Sequence, residues 1–287
     1  YYILFMIIWL ASYPKSGNTW LRSMISALMY SKDGLFNFNL LSHIKQFPSK
    51  SYLKNFTNNF GNFNEVKKYF VSAQEFLNLD NKVKFLKTHH INCKIGEHNF
   101  TNRKNTLATI YVVRDPRNLV SSISNHMSLS LEDSKDFLLK PKLIVGSTNK
   151  QKKIDENDLK ILIGTWAEHY KFWKYNNENF LIIKYEDLVN DVFYELNKII
   201  KFLEKFVSVE SNDNKIQNII NTTGFEFLKK LEKKGNFNEN ATDEFGIHKE
   251  FFHLGPGNKW QDILDKKIVD EIEKKLSKEM VELGYLR

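Results

Sequence analysis

Cysteine is almost missing from this chain: Cys93 is the only one among 287 residues. A lone thiol closes no internal disulfide, which fits a reducing, cytoplasmic compartment. His89 and His90 stand close to Cys93, but no second cysteine or paired histidine group completes a zinc site, and no metal is expected. Long apolar runs are missing too. The opening stretch YYILFMIIWLAS falls well short of the roughly 20 residues that span a bilayer and lacks the basic segment of a signal peptide. It reads as a buried first strand, so no integral membrane segment is expected; a start on Tyr1 rather than Met fits a trimmed N-terminus. The five prolines and twelve glycines form no linker, and there are no internal repeats. One domain over residues 1–287 is expected.

The most evident surplus is positive charge, a formal +8. It favours anionic partners without choosing among a phosphorylated small molecule, an acidic membrane surface and nucleic acid. Lys198, Lys201 and Lys205 read as a solvated helix face. No basic stripe is interleaved with base-stacking aromatics, so no nucleic-acid partner is expected.

Short apolar runs rich in β-branched and aromatic residues predict strands over 5–11, 83–86, 107–113 and 180–183. Helical periodicity predicts helices over 19–29, 116–127 with Asp115 as cap, 159–173, 188–206 and 268–283. Strands apolar on both faces and separated by helices are parallel strands joined by crossovers. The fold class is therefore α/β, a central parallel sheet flanked by helices. Residues 31–80 and 130–157 are weakly patterned and read as helical excursions and loops. Their aromatics Phe36, Phe38, Phe47, Tyr52, Phe56, Phe60 and Phe63 either line an apolar pocket or pack helices, and packing is the stronger expectation.

The first strand runs into Tyr13-Pro14-Lys15-Ser16-Gly17-Asn18-Thr19-Trp20, and a helix begins at once. Free amides at the helix start, a glycine that lets the backbone approach, and a lysine together cradle an anion. The plain alternative is a β-to-α turn in which Lys15 is solvated and Ser16 caps the helix. The loop is P-loop-like but not a Walker A loop, because Lys15 precedes the glycine.

This loop resembles the Y-P-K-S-G-[TN]-T-W signature of the sulfotransferases that use 3′-phosphoadenosine 5′-phosphosulfate (PAPS) and release 3′-phosphoadenosine 5′-phosphate (PAP). By that resemblance Lys15 touches the bridging oxygen of the phosphosulfate, Ser16, Gly17, Asn18 and Thr19 hold the 5′ phosphate, and Trp20 packs on adenine.

Four further segments carry the resemblance, in the family's order. Lys87-Thr88-His89 ends the second strand; it implies His89 as general base and Lys87 as the group that positions the acceptor and stabilises charge. A neutral imidazole suits that task near neutral pH, and His90 points the other way if extended structure continues. Arg114-Asp115-Pro116-Arg117 with Ser122 implies a 3′-phosphate site on Arg114 and Ser122; a guanidinium fork suits a phosphate dianion. Tyr185 in Lys184-Tyr185-Glu186-Asp187 implies an adenine contact. Thr223-Gly224-Phe225 implies a stacking aromatic at Phe225 with Thr223 beside it.

Near the C-terminus the family's R-K-G-x-x-G-x-W clasp is altered. His253, Leu254 and Gly255 stand where Arg, Lys and Gly are usual, and Lys249 or Lys259 is the candidate to compensate. A K-x-x-x-T-V-x-x-x-E dimerisation pattern is not evident, so no oligomeric state is assigned.

The resemblance implies a PAPS-dependent sulfotransferase acting on a hydroxyl or amine of a small-molecule acceptor, without metal. The alternative is a P-loop-type kinase with Asp115 as a Walker B residue.

Overall fold

The structure is a computed structural model that describes residues 6–145, 157–235, 237, 241–242 and 248–287. Phe5, the start of the first expected strand, and 146–156, within the weakly patterned 130–157, lie outside the described residues.

Five parallel strands form the central sheet: β1 (Ile7–Ser12), β2 (Lys45–Gln46), β3 (Lys84–Thr88), β4 (Thr106–Val113) and β5 (Phe180–Lys184), in the order β2-β3-β1-β4-β5. All six residues of β1 are buried. Successive side chains of a strand leave on opposite faces, so Ile8 and Leu10 join one core while Ile7, Trp9 and Ala11 join the other. Burial on both faces is why the run is continuously apolar rather than alternating.

The Ile8/Leu10 face is covered by Leu21, Met24, Ile25 and Leu28 of α1 (Asn18–Tyr30). The Trp9 face lies against Leu119 and Ile123 of α2 (Pro116–Met127) and Trp166 and Trp173 of α3 (Trp166–Tyr175).

Three expectations change. The two-residue edge strand β2 pairs with β3, Gln46 opposite Lys87. The expected helix over 159–173 is instead a strand, Lys160–Leu162, paired antiparallel with Leu143–Val145, followed by α3. Gly164 takes φ +63°, and a capping box fixes the helix start: the Thr165 side chain accepts from Glu168 N–H and Glu168 accepts from Thr165 N–H. The helix expected over 188–206 is two, α4 (Tyr185–Asn190) and α5 (Val192–Leu203), divided where the Asp191 side chain accepts from Tyr194 N–H. Further on lie α6 (Asp213–Thr223), α7 (Phe225–Lys233) and α8 (Lys266–Glu282).

β3 and β4 flank β1, so the chain reverses its direction of travel across the sheet at the carboxyl end of β1. Open α/β sheets bind ligands in the crevice at that switch point.

Candidate active site

A cleft of about 1160 Å³, counting the space open to solvent, lies at this carboxyl edge. Lys15, Gly17, Asn18, Thr19 and Trp20 line it from the loop after β1, Lys87 and His89 from the end of β3, and Arg114 and Ser122 from the β4–α2 junction. Tyr185, Phe225 and the altered clasp His253, Leu254 and Gly255 complete its wall. Two expected residues do not line it. Ser16 is fully buried behind the loop, and Thr223 is buried with its hydroxyl donating to Ile219 O at 2.7 Å, inside its own helix.

The loop is shaped by left-handed residues on either side of Ser16: Lys15 at φ +66° and Gly17 at φ +101°. Gly17 caps α1 by conformation alone, without a side-chain bond, and α1 carries no acidic residue in its first turn. The positive end of its dipole therefore stays directed at the cleft. Glycine is required at 17 twice over, since a Cβ there would stand 2.7 Å from Tyr185 Cδ2. Asn18 is turned inward. Its amide donates to Leu10 O at 3.0 Å and Ser12 Oγ at 3.2 Å, fastening α1 to β1.

His89 is held by the end of β1. Its Nδ1 lies 2.8 Å from Ser12 O and 3.3 Å from Ser12 Oγ. A carbonyl oxygen only accepts, so Nδ1 carries a proton, and in the neutral ring Nε2 is then the nitrogen that bears the lone pair. β3 ends at Thr88 and His90 lies in a bend beyond it. Its ring is fully buried, stacked 4.4 Å from Phe100 at 5°, and burial holds its pKa down to about 4.

Arg114 is 5% exposed. Its Nη1 donates to Ser122 Oγ at 3.3 Å and its Nη2 to Gly255 O at 3.2 Å, while its plane lies 4.1 Å from the Tyr185 ring centre. Trp20 meets Tyr185 edge-on, 5.7 Å between centroids at 72°. The clasp loop is fixed by Asn258, which donates to Asn118 O at 2.7 Å and Ser122 Oγ at 3.1 Å. Gly255, at φ +52°, admits the Phe225 ring so closely that a Cβ would lie 2.1 Å away.

Neither expected compensating lysine lines the cleft. Lys249 donates to Ser128 Oγ at 2.9 Å and Asn125 O at 3.2 Å, and Lys259 is exposed. Lys229 instead reaches the clasp backbone, donating to His253 O at 3.2 Å.

Asp115 is a helix cap. Its carboxylate accepts from Arg117 N–H at 2.9 Å and pairs with the Arg117 guanidinium at 2.6 Å. With both oxygens so engaged it is a poor magnesium ligand.

Gln46, His126, Met127, Ile144, Ile161 and Phe251 also line the cleft and were not singled out from sequence. Signals existed for two of them: His126 follows Ser122 by one helical turn, so it shares its face, and Phe251 stands two residues before the clasp. None of the aromatics from 36–63 lines it; Phe47 packs 5.7 Å from Trp9 in the core, so packing is their role.

Buried side-chain atoms beside the cleft, Ser16 Oγ, Trp20 Nε1 and Arg114 Nε, have no hydrogen-bond partner within the protein. Unsatisfied donors next to lysine, arginine and a helix N-terminus fit a polyanionic ligand. Fold and cleft thus define an α/β protein whose sheet edge suits an anionic ligand.

The sulfotransferase domain family matches residues 7–284, and the chain belongs to that family. It is 25% identical over 226 residues to luciferin sulfotransferase of Photinus pyralis, covering 76% of this chain and 55% of that protein. It is 25% identical over 278 residues to cytosolic sulfotransferase 13 of Arabidopsis thaliana, covering 95% and 76%. Among solved structures, mouse sulfotransferase SULT7A1 complexed with PAP superposes with a TM-score of 0.58 at 20% identity, covering 96% of this chain and 84% of that one. Retinol dehydratase in complex with androsterone and PAP does so with a TM-score of 0.58 at 18% identity, covering 96% and 80%; both describe the fold. Among the described residues no helix is long and apolar enough to cross a membrane.

Proposed function

We propose that the protein transfers a sulfuryl group from PAPS to a hydroxyl or amine of a small acceptor, with His89 as general base. The observation that carries this reading is the convergence of Lys15, Lys87, His89, Arg114 and Ser122 on one cleft from three neighbouring strand ends.

The donor supplies an activated sulfur–oxygen bond to a good phosphate leaving group. Arg114 and Ser122 hold the 3′ phosphate, and the amides of Gly17, Asn18 and Thr19 hold the 5′ phosphate at the N-terminus of α1. Trp20, Tyr185 and Phe225 enclose the adenine. His89 Nε2 takes the proton of the acceptor as its oxygen or nitrogen forms a bond to sulfur. Lys15 stabilises the charge left on the phosphate oxygen when the old sulfur–oxygen bond breaks, and Lys87 stabilises the transferring group. Positioning and preorganised charge supply most of the acceleration, and no residue is assigned to a metal.

Met127, Ile144 and Ile161 give the cleft apolar walls, which supports an acceptor with an apolar body. The lone Cys93 and the relative named as cytosolic support a cytoplasmic location.

His89→Ala tests the reading. Transfer falls by about 10²–10⁴-fold, the usual contribution of a general base, while PAP binds as in the wild type. Transfer that survives the substitution removes His89 from the base role.

A further inference from the structure

His169 has no place in the chemistry above, yet it touches both arms of the site. It sits on α3 and is 0% exposed. Its Nε2 lies 3.1 Å from the backbone carbonyl oxygen of His89, and its Nδ1 lies 2.8 Å from the hydroxyl oxygen of Tyr111 on β4. The His89 carbonyl only accepts, so Nε2 of His169 carries the proton, and Nδ1 then accepts from the tyrosine O–H. Burial holds the His169 pKa down to about 3, so this neutral tautomer persists throughout the physiological range.

The same ring carries Tyr13, the first residue of the phosphate loop, edge-to-face at 5.7 Å and 83°. The Tyr13 hydroxyl donates to Phe137 O at 2.6 Å. Immediately before Tyr13, Ser12 O receives the Nδ1 proton of His89. His89 is thereby fixed at two points, its ring by the end of β1 and its peptide by His169. Tyr111 in turn fixes His169 from β4.

We infer that His169 is a positioning residue: it locks the peptide of the base relative to the phosphate loop and so sets the direction in which His89 Nε2 faces the acceptor. This rests on the sulfotransferase reading for its consequence in rate, though not for its geometry. Outer partners that orient metal-bound histidines are worth about 10- to 100-fold when removed, the order expected here for a partner of the base, and a buried, satisfied network fixes geometry more firmly than solvated contacts do.

The test compares His169→Leu with His169→Gln, whose amide nitrogen can stand where imidazole Nε2 stood and donate to the same carbonyl. In the leucine variant kcat falls about 10- to 100-fold with PAP affinity unchanged, while the glutamine variant recovers most of the loss. Imidazole nitrogen NMR gives a second readout that needs no turnover: His89 is a single Nδ1–H tautomer in the wild type and a tautomer mixture in the leucine variant. If the leucine variant does not fold, Tyr111→Phe leaves both rings in place, removes one hydroxyl, and gives a smaller fall in kcat with a second tautomer appearing at His169.

Equal losses in the leucine and glutamine variants, or a fall in kcat that tracks lost PAP affinity, overturn the inference. A wild type that neither binds PAP nor transfers sulfuryl overturns the sulfotransferase reading instead; the tautomer of His89 then still decides this one, an unchanged tautomer in the leucine variant refuting it.

Discussion

Nη1 of Arg114 donates to Oγ of Ser122 across 3.3 Å, joining the end of a strand to a residue inside the following helix. Both residues line the cleft; the Ser122 hydroxyl donates to Asn118 O at 3.3 Å, and Gly255 O braces the other guanidinium nitrogen. In the proposed reading a 3′ phosphate is gripped by this guanidinium, with the Ser122 hydroxyl beside it. Arg114→Lys keeps the charge but loses the fork. Hydrogen bonds to charged groups contribute about 1.5–3 kcal/mol, so calorimetry should find PAP bound some 10- to 100-fold more weakly and 5′-AMP bound as before.

The clasp offers a gain rather than a loss. His253 lines the cleft where the family resemblance places an arginine. His253→Arg adds a permanent charge with a planar fork and should tighten PAP by about tenfold at low salt, roughly 1.4 kcal/mol, with the gain shrinking as salt is raised. An unchanged dissociation constant would place the 3′ phosphate away from this loop.

The loop glycine is the most sensitive backbone position. Gly17→Ala places a Cβ 2.7 Å from Tyr185 at φ +101°, so the loop and the adenine wall cannot both stay in place. Thermal melting should show a loss of about 1–3 kcal/mol, the usual cost of a strained residue, together with weaker PAP binding.

How much of this was legible in the sequence follows from the range of each interaction. The loop from Lys15 to Trp20, the Lys87–His89 strand end and Arg114 with Ser122 are short contiguous patterns, and a strand-to-helix unit fixes where such residues point. Thr223 does not line the cleft because one step along a helix turns a side chain by about 100°, and its hydroxyl closes on Ile219 O. The edge strand Lys45–Gln46 is too short for any periodicity, and the strand Lys160–Leu162 owes its conformation to a partner, Leu143–Val145, that pattern reading could not supply. His169 was invisible for the same reason: its partners, His89 and Tyr111, are 80 and 58 residues away.

Acid should destabilise the fold through its buried imidazoles. His90 and His169 have pKa values lowered to about 4 and about 3, whereas an unfolded histidine titrates near 6.5. Between these values the unfolded chain binds more protons than the folded one, so stability is fully present above about pH 6.5 and falls as pH drops toward 4. Each histidine steepens the fall by up to about 1.4 kcal/mol per pH unit. His90→Phe, which keeps an aromatic ring against Phe100, should flatten the pH dependence of Tm between pH 6.5 and 4.5 by one proton; an unaltered slope would contradict the assignment.

Calorimetric titration of the purified protein with PAP, 5′-AMP and ATP, without and then with magnesium, probes the 3′-phosphate site itself. PAP should bind at least about tenfold more tightly than either competitor, about 1.4 kcal/mol, through Arg114 and Ser122. Equal affinities, or a preference for ATP that appears only when magnesium is added, would contradict it.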